Sequence, residues 1–205
     1  MILILTGGIG SGKSIAAEML NEMYGFPVYS ADRRVKELYD ERPELLCAIE
    51  KSIGCCLRDQ DGRFVPALLA REIFTDEKVL RRVEELVFPV LKDDFITWEK
   101  EHPSRVHIFE SATILEKDFF RGFGDFALVV TAPLEVRISR AAKRDSALEE
   151  QVKARVENQK IMNDLSRLEH ICWLPFEVCS NDGTLADLRS KLTDFIENTV
   201  LTKML

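Results

Sequence analysis

Residues 5–14 read Leu5-Thr6-Gly7-Gly8-Ile9-Gly10-Ser11-Gly12-Lys13-Ser14. The apolar run Ile2 to Leu5 predicts a short buried strand before this stretch, and an amphipathic helix is expected directly after Lys13. Gly7, four intervening residues, Gly12, Lys13 and Ser14 complete a Walker A phosphate loop. Glycines let the backbone take positive φ and bring its N–H groups around polyphosphate oxygens, and the helix N-terminus adds its own N–H groups and positive dipole end. Lys13 can reach the β- and γ-phosphates, and the Ser14 hydroxyl can ligate Mg²⁺. A glycine turn that merely joins strand to helix is the plainer alternative. The strand before, the helix after and the Lys13-Ser14 pair speak against it. The loop implies nucleotide binding without naming an acceptor.

Outward from the loop, Ala16, Met19, Leu20 and Met23 give the helix one apolar face, and Gly25 sits where a C-cap belongs. Val28-Tyr29 predicts a second strand. Strand, helix and strand without a hairpin turn imply a right-handed crossover and a parallel sheet, whose ligands sit beyond the carboxyl ends of the strands. Asp32 follows the second strand. It can orient an acceptor hydroxyl and take its proton, or it can simply N-cap a helix beginning at Arg33. Residues 33–104 read as helical, with a turn at Asp61-Gly62 and a long helix from about Asp76 that Pro89 should kink or restart. They form an insertion suited to binding an acceptor.

Arg105–Glu110 predicts the third strand, a short helix holds Ile114, Leu115 and Glu116, and Phe126–Thr131 is apolar on both faces, as a buried parallel strand requires. Pro133 opens the next helix, on which Arg137, Arg140 and Arg144 share one face. This cluster either neutralises transferring phosphate or is a solvated basic stripe paired with neighbouring carboxylates. Residues 146–169 predict one polar helix, Phe176–Ser180 a fifth strand, and Thr184 with Asp187 a capping box opening a closing core helix.

With 205 residues, 46% hydrophobic and 31% charged, the chain is of a size for one α/β domain with insertions. A net charge of -7 argues against a broad nucleic-acid footprint. The five cysteines form no Cys-x-x-Cys pair or zinc spacing, and neither a signal peptide nor a transmembrane run is read, which predicts a cytoplasmic protein with reduced thiols.

Taken in order, the phosphate loop, Ala31-Asp32, the helical insertion and an arginine-rich segment after the fourth strand resemble the dephospho-coenzyme A kinase family over nearly the whole chain. Leu5 to Ser14 is similar to the family's opening almost letter for letter. Ala31-Asp32 resembles the end of its Asp-Ala-Asp motif, Asp61-Gly62 with Leu69 and Ile73-Phe74 its insertion, Arg140 to Asp145 with Gln159 its lid, and Asn181 its late turn. The resemblance implies a P-loop NTPase-type three-layer α/β fold with about five parallel strands. It divides the single domain into a core (1–30, 105–143, 166–205), an acceptor-binding insertion (31–104) and a lid (144–165).

The resemblance also implies transfer of the ATP γ-phosphoryl group to the ribose 3′-hydroxyl of dephospho-CoA with Mg²⁺, and no nucleic-acid or membrane partner. Carried over by position, Gly8, Gly10, Ser11, Gly12, Lys13, Ser14, Ile15, Arg140, Arg144 and Asn181 would bind ATP. Ser14 would hold the metal, Lys13 and Arg140 would balance charge, and Asp32 would be the base. Asp32, Lys36, Phe88 and Glu116 would face the acceptor. Departures gather on that side: Ser30 replaces the first Asp of the Asp-Ala-Asp motif, Lys36 stands for Arg, Val65-Pro66 takes the place of an Arg, Phe88-Pro89 stands for His-Pro, and Ala112 to Glu116 stands for Pro-Leu-Leu-x-Glu. Rival readings of the sequence are a kinase of a nucleoside monophosphate or other small hydroxyl acceptor, and a nucleotide-binding regulatory switch.

Overall fold

In the computed structural model, which describes residues 1–157, 159 and 164–204, the opening apolar run forms β1 (Ile2–Thr6), and α1 (Lys13–Tyr24) follows the glycine loop. β2 (Val28–Ser30), β3 (His107–Glu110), β4 (Phe126–Thr131) and β5 (Phe176–Ser180) pair with it in the order β2-β3-β1-β4-β5, parallel throughout. β1 is therefore the middle strand of five, and the loop leaves its carboxyl end. Alternation along the strands builds two apolar faces. Leu3, Leu5, Ile108, Leu128 and Val130 join Ala16 and Leu20 of α1 and Leu188, Leu192 and Phe195 of the closing helix α9 (Leu185–Phe195) in one cluster. Phe109 points the other way, stacked on Tyr29 and edge-on to Phe123. The P-loop α/β architecture expected from the sequence is the one found.

Two compact units divide the chain: Met1–Ser30 with Ser104–Leu205, and Ala31–Pro103. The second unit contains α2 (Ala31–Glu41), α3 (Pro43–Ile53), α4 (Pro66–Thr75) and α5 (Glu77–Glu101). Val79, Val83, Val87, Leu91 and Phe95 form the buried stripe of α5, which packs against the other three helices. Burying such side chains contributes about 1.5–3 kcal/mol each. Arg34 fastens α2 to α5: Nε and Nη2 donate to the two carboxylate oxygens of Asp94 at 2.8 and 2.9 Å, while Nη1 and Nη2 donate to Glu41 at 2.8 Å each.

Several local expectations are corrected. Helix α2 begins at Ala31, so Asp32 lies in its first turn and is not the residue preceding it. Pro89 does not restart α5, which runs unbroken from Glu77 to Glu101 because its apolar stripe continues to either side of the proline. β3 starts at His107, two residues later than expected. The single helix expected over 146–169 is instead α7 (Glu149–Glu157), the non-helical residue Gln159, a turn at Leu165–Arg167 and α8 (Leu168–Ile171). Of the lid expected at 144–165, positions 158 and 160–163 lie outside the described residues. α6 (Leu134–Asp145) follows Pro133 as expected, and Thr184 and Asp187 form the capping box at the start of α9. No helix among the described residues is long and apolar enough to cross a membrane.

Candidate active site

The loop between β1 and α1 makes a tight turn in which the Ser11 N–H donates to the Gly8 carbonyl at 3.0 Å. Gly10 and Gly12 have φ of 76° and 97°, and a Cβ on Gly12 would collide with the Asn181 side chain, so side-chain-bearing residues are disfavoured there. The first N–H groups of α1 have no partner within the helix and face the loop with the positive end of the dipole. Lys13 and Ser14 stand in that first turn, followed by the exposed Ile15.

β3 brings a carboxylate to the same place. Leu5 pairs with Glu110, and the Ser111 N–H donates to the Leu5 carbonyl at 3.0 Å, which fixes the end of β3 beside the start of the loop. The Ser14 hydroxyl donates to Glu110 Oε1 at 2.8 Å, and Lys13 Nζ lies 4.0 Å from the same oxygen. The Glu110 side chain is 7% exposed and that of Lys13 14%. Hydroxyl, carboxylate and ammonium thus converge, the last two largely removed from solvent and Ser14 at the exposed edge. A hydroxyl and a carboxylate are hard oxygen donors of the kind Mg²⁺ takes in small number beside phosphate oxygens. Among the described residues no group of three or more His, Cys, Asp or Glu side chains is placed to hold a metal ion.

Asn181, just past β5, braces the loop. Its N–H donates to the Thr131 carbonyl at 2.7 Å and its side-chain Nδ2 to the Ser11 carbonyl at 2.8 Å. Arg140 Nη1 donates to the Asn181 carbonyl at 3.0 Å. The three arginines expected to share one face of α6 have different surroundings. Arg137 is buried and bonds to the loop, Arg140 is half-buried over Asn181, and Arg144 is exposed and forks onto Asp145 at 2.7 and 3.1 Å. Arg155 of α7 donates to Asp145 as well, at 2.9 Å, and these cations hold the Asp145 carboxyl down at about 2. Glu116 ends a short 3₁₀ turn after β3, in the same unit. Asp32 and Lys36, one turn apart on α2 and both exposed, and the half-buried Phe88 of α5 belong to the other unit.

The family model described as CoaE, dephospho-CoA kinase, matches residues 1–187. The chain belongs to the dephospho-CoA kinase family. A dephospho-CoA kinase from Porphyromonas gingivalis is 35% identical over 80% of this chain and 79% of its own length. One from Chlorobaculum tepidum is 34% identical over 94% of this chain and 91% of its own. The crystal structure of TT1252 from Thermus thermophilus superposes with a TM-score of 0.78 at 26% identity, over 97% of each chain. As a member of the dephospho-CoA kinase family the chain is a transferase, a kinase whose phosphoryl donor is ATP and whose acceptor is dephospho-CoA. The rival readings as a kinase of another acceptor or as a regulatory switch give way to this finding.

In the sequence Glu110 shows only as the end of a strand, although an acidic residue closing a strand that neighbours the phosphate loop is a legible signal once strand order is known. The helix spacing puts Arg137 on one face with Arg140 and Arg144, and only the folded structure shows its guanidinium bonded to the loop backbone. Only the family resemblance points to Gln159, and no local pattern reveals that its amide reaches back to Ile9, 150 residues away.

Proposed function

We propose that this dephospho-CoA kinase moves the γ-phosphoryl group of ATP to the ribose 3′-hydroxyl by placing charge around the transferring group rather than through a covalent enzyme intermediate. The observation that carries the reading is the meeting of Lys13, Ser14 and Glu110 at the mouth of the loop. The loop N–H groups and Lys13 bind the polyphosphate, and Arg140, positioned over Asn181, balances charge that builds on the equatorial oxygens. Ser14 and Glu110 would hold Mg²⁺, which when bound offsets phosphate charge as a Lewis acid. Asp32 accepts the 3′-hydroxyl proton as that oxygen attacks. Its place two residues beyond the carboxyl end of β2, in a sheet whose strands all run parallel, supports this role.

Gly8, Ser11, Ile15, Arg144 and Asn181 complete the proposed ATP site. Lys36, Phe88 and Glu116 complete that of the acceptor. Asn181 acts on ATP through the loop it braces, and Arg144 must leave Asp145 to reach phosphate. A cytoplasmic location belongs to the same proposal, supported by five cysteines that are all free thiols. The test is incubation of the purified protein with Mg²⁺, ATP and dephospho-CoA, followed by mass spectrometry. One added phosphate on the acceptor is expected, placed on the 3′-oxygen by fragmentation. ATP consumption without a phosphorylated acceptor would overturn the proposal.

A further inference from the structure

Ile9, at the tip of the phosphate loop, is held through both of its backbone polar groups by side chains. Its N–H donates to Gln159 Oε1 at 2.8 Å, and its carbonyl accepts from Arg137 Nε at 3.1 Å. The two side chains are themselves joined, Arg137 Nη2 donating to the same Gln159 oxygen at 3.3 Å. Arg137 is 3% exposed and Gln159 8%, and burial lowers the proton affinity of the guanidinium below its ordinary value. The Ile9 side chain packs onto Ala141, Ala142, Val152 and Val156, the small core between α6 and α7. Arg137 also fills the space that a side chain at position 8 would need: a Cβ on Gly8 would collide with its guanidinium, and one on Gly10 with its carbonyl oxygen.

The peptide plane turns these contacts into a statement about ATP. Across a trans peptide the C=O and N–H point in opposite directions, and this chain has no cis bond among its described residues. Anchoring the Ile9 carbonyl on Arg137 turns the Gly10 N–H to the opposite side of the loop. Anchoring the Ile9 N–H on Gln159 likewise turns the Gly8 carbonyl away from it, where it accepts from Ser11. The direction of the loop's donors is therefore set from behind.

We propose that Arg137 and Gln159 are positioning residues for ATP. They act through the backbone of Ile9 without touching the nucleotide, and they make the α6–α7 pair and the phosphate loop one mechanical piece. This rests on the reading of the loop as the ATP site. A buried arginine in a kinase could instead contact phosphate itself, and the two roles separate in kinetics. Loss of positioning lowers affinity for the nucleotide and is shared with the uncharged Gln159. Loss of a charge on the transferring group lowers turnover and is confined to the arginine.

The test compares Arg137→Met, Gln159→Leu, their combination and Gln159→Glu, which keeps the acceptor oxygen, with the wild-type enzyme. Measured quantities are KM for ATP, KM for dephospho-CoA, kcat, the Kd of Mg·ADP and Tm. The expected result is a KM for ATP raised about tenfold in each of the first two variants, with a matching loss of Mg·ADP affinity and kcat within about threefold. The double variant should be no worse than either single one, and Gln159→Glu should stay within about twofold of wild type. KM for dephospho-CoA should hold throughout. Lowered Tm with an unmoved KM for ATP, additive effects, or a collapse of kcat confined to Arg137→Met would each overturn the inference. If the methionine variant does not fold, the comparison of Gln159→Leu with Gln159→Glu decides alone. Wild-type protein that fails to bind Mg·ADP would sink the loop reading and this inference with it, whereas wild-type binding with unmoved variants sinks the inference alone.

Discussion

Glu110 shows how much one side chain can set at the mouth of the loop. Its carboxylate holds the Ser14 hydroxyl at 2.8 Å and faces the Lys13 ammonium at 4.0 Å. Glu110→Gln keeps the shape and an acceptor for Ser14 while removing the charge. Turnover should fall about 10²-fold, with the Mg²⁺ concentration for half-maximal rate shifted upward and Tm nearly unchanged, as a metal titration of the rate would show. Lys13→Ala removes the cation proposed to reach the phosphates, so it should slow the transfer step by a similar factor and weaken ADP binding in a calorimeter. Asp32→Asn should behave differently, leaving ATP affinity intact while kcat drops about 10²–10⁴-fold. Near-normal turnover in that variant would remove Asp32 from the role of base. The Walker A residues are legible from sequence because their chemistry is local: spacing alone puts Lys13 and Ser14 in a helix's first turn. Glu110, Arg137 and Gln159 depend on which strands and helices become neighbours, and that information is spread over the chain.

Among the elements, α2 and α5 depend on the Arg34 fork. The Asp94 side chain is only 12% exposed, so deleting the guanidinium leaves a carboxylate poorly solvated beside α2. Arg34→Met should lower stability by about 1–3 kcal/mol in denaturant unfolding, and Asp94→Asn in that background should restore part of it. The clasp between α6 and α7 answers to pH. Asp145 is held at about 2 by Arg144 and Arg155, below its ordinary 3.8. A depressed carboxyl contributes stability that is complete above the unfolded value and is lost as pH falls through the folded one. The contribution should disappear between about pH 4 and pH 2, and Asp145→Asn should flatten the Tm–pH curve in that window. Element types were readable from the sequence where periodicity ran long, as in α1 and α9. The helix expected over 146–169 failed because its apolar stripe is thin. The contacts of Val152 and Val156 with α6 settle α7, and α7 ends at Glu157.

At the scale of the whole molecule, the proposed donor-binding residues and the acceptor candidates Asp32, Lys36 and Phe88 fall in different compact units. Lys36→Ala and Phe88→Ala should raise KM for dephospho-CoA several-fold while the Kd of Mg·ADP, read by calorimetry, stays put; a change in ADP affinity alone would argue against the acceptor assignment. The division also bears on how the polypeptide finds its structure. Residues 31–103 assemble from helices adjacent in sequence, contacts that form quickly. The sheet is the reverse case: Ile2 must find His107, Leu3 must find Phe126, and Asn181 reaches Ser11 across 170 residues. On a ribosome the loop is synthesised about 170 residues before its brace. The helical unit can be complete while the nucleotide pocket is still an open glycine-rich strand end. Chains stalled before residue 181 should bind no ATP, and free nucleotide should speed only the final phase of refolding.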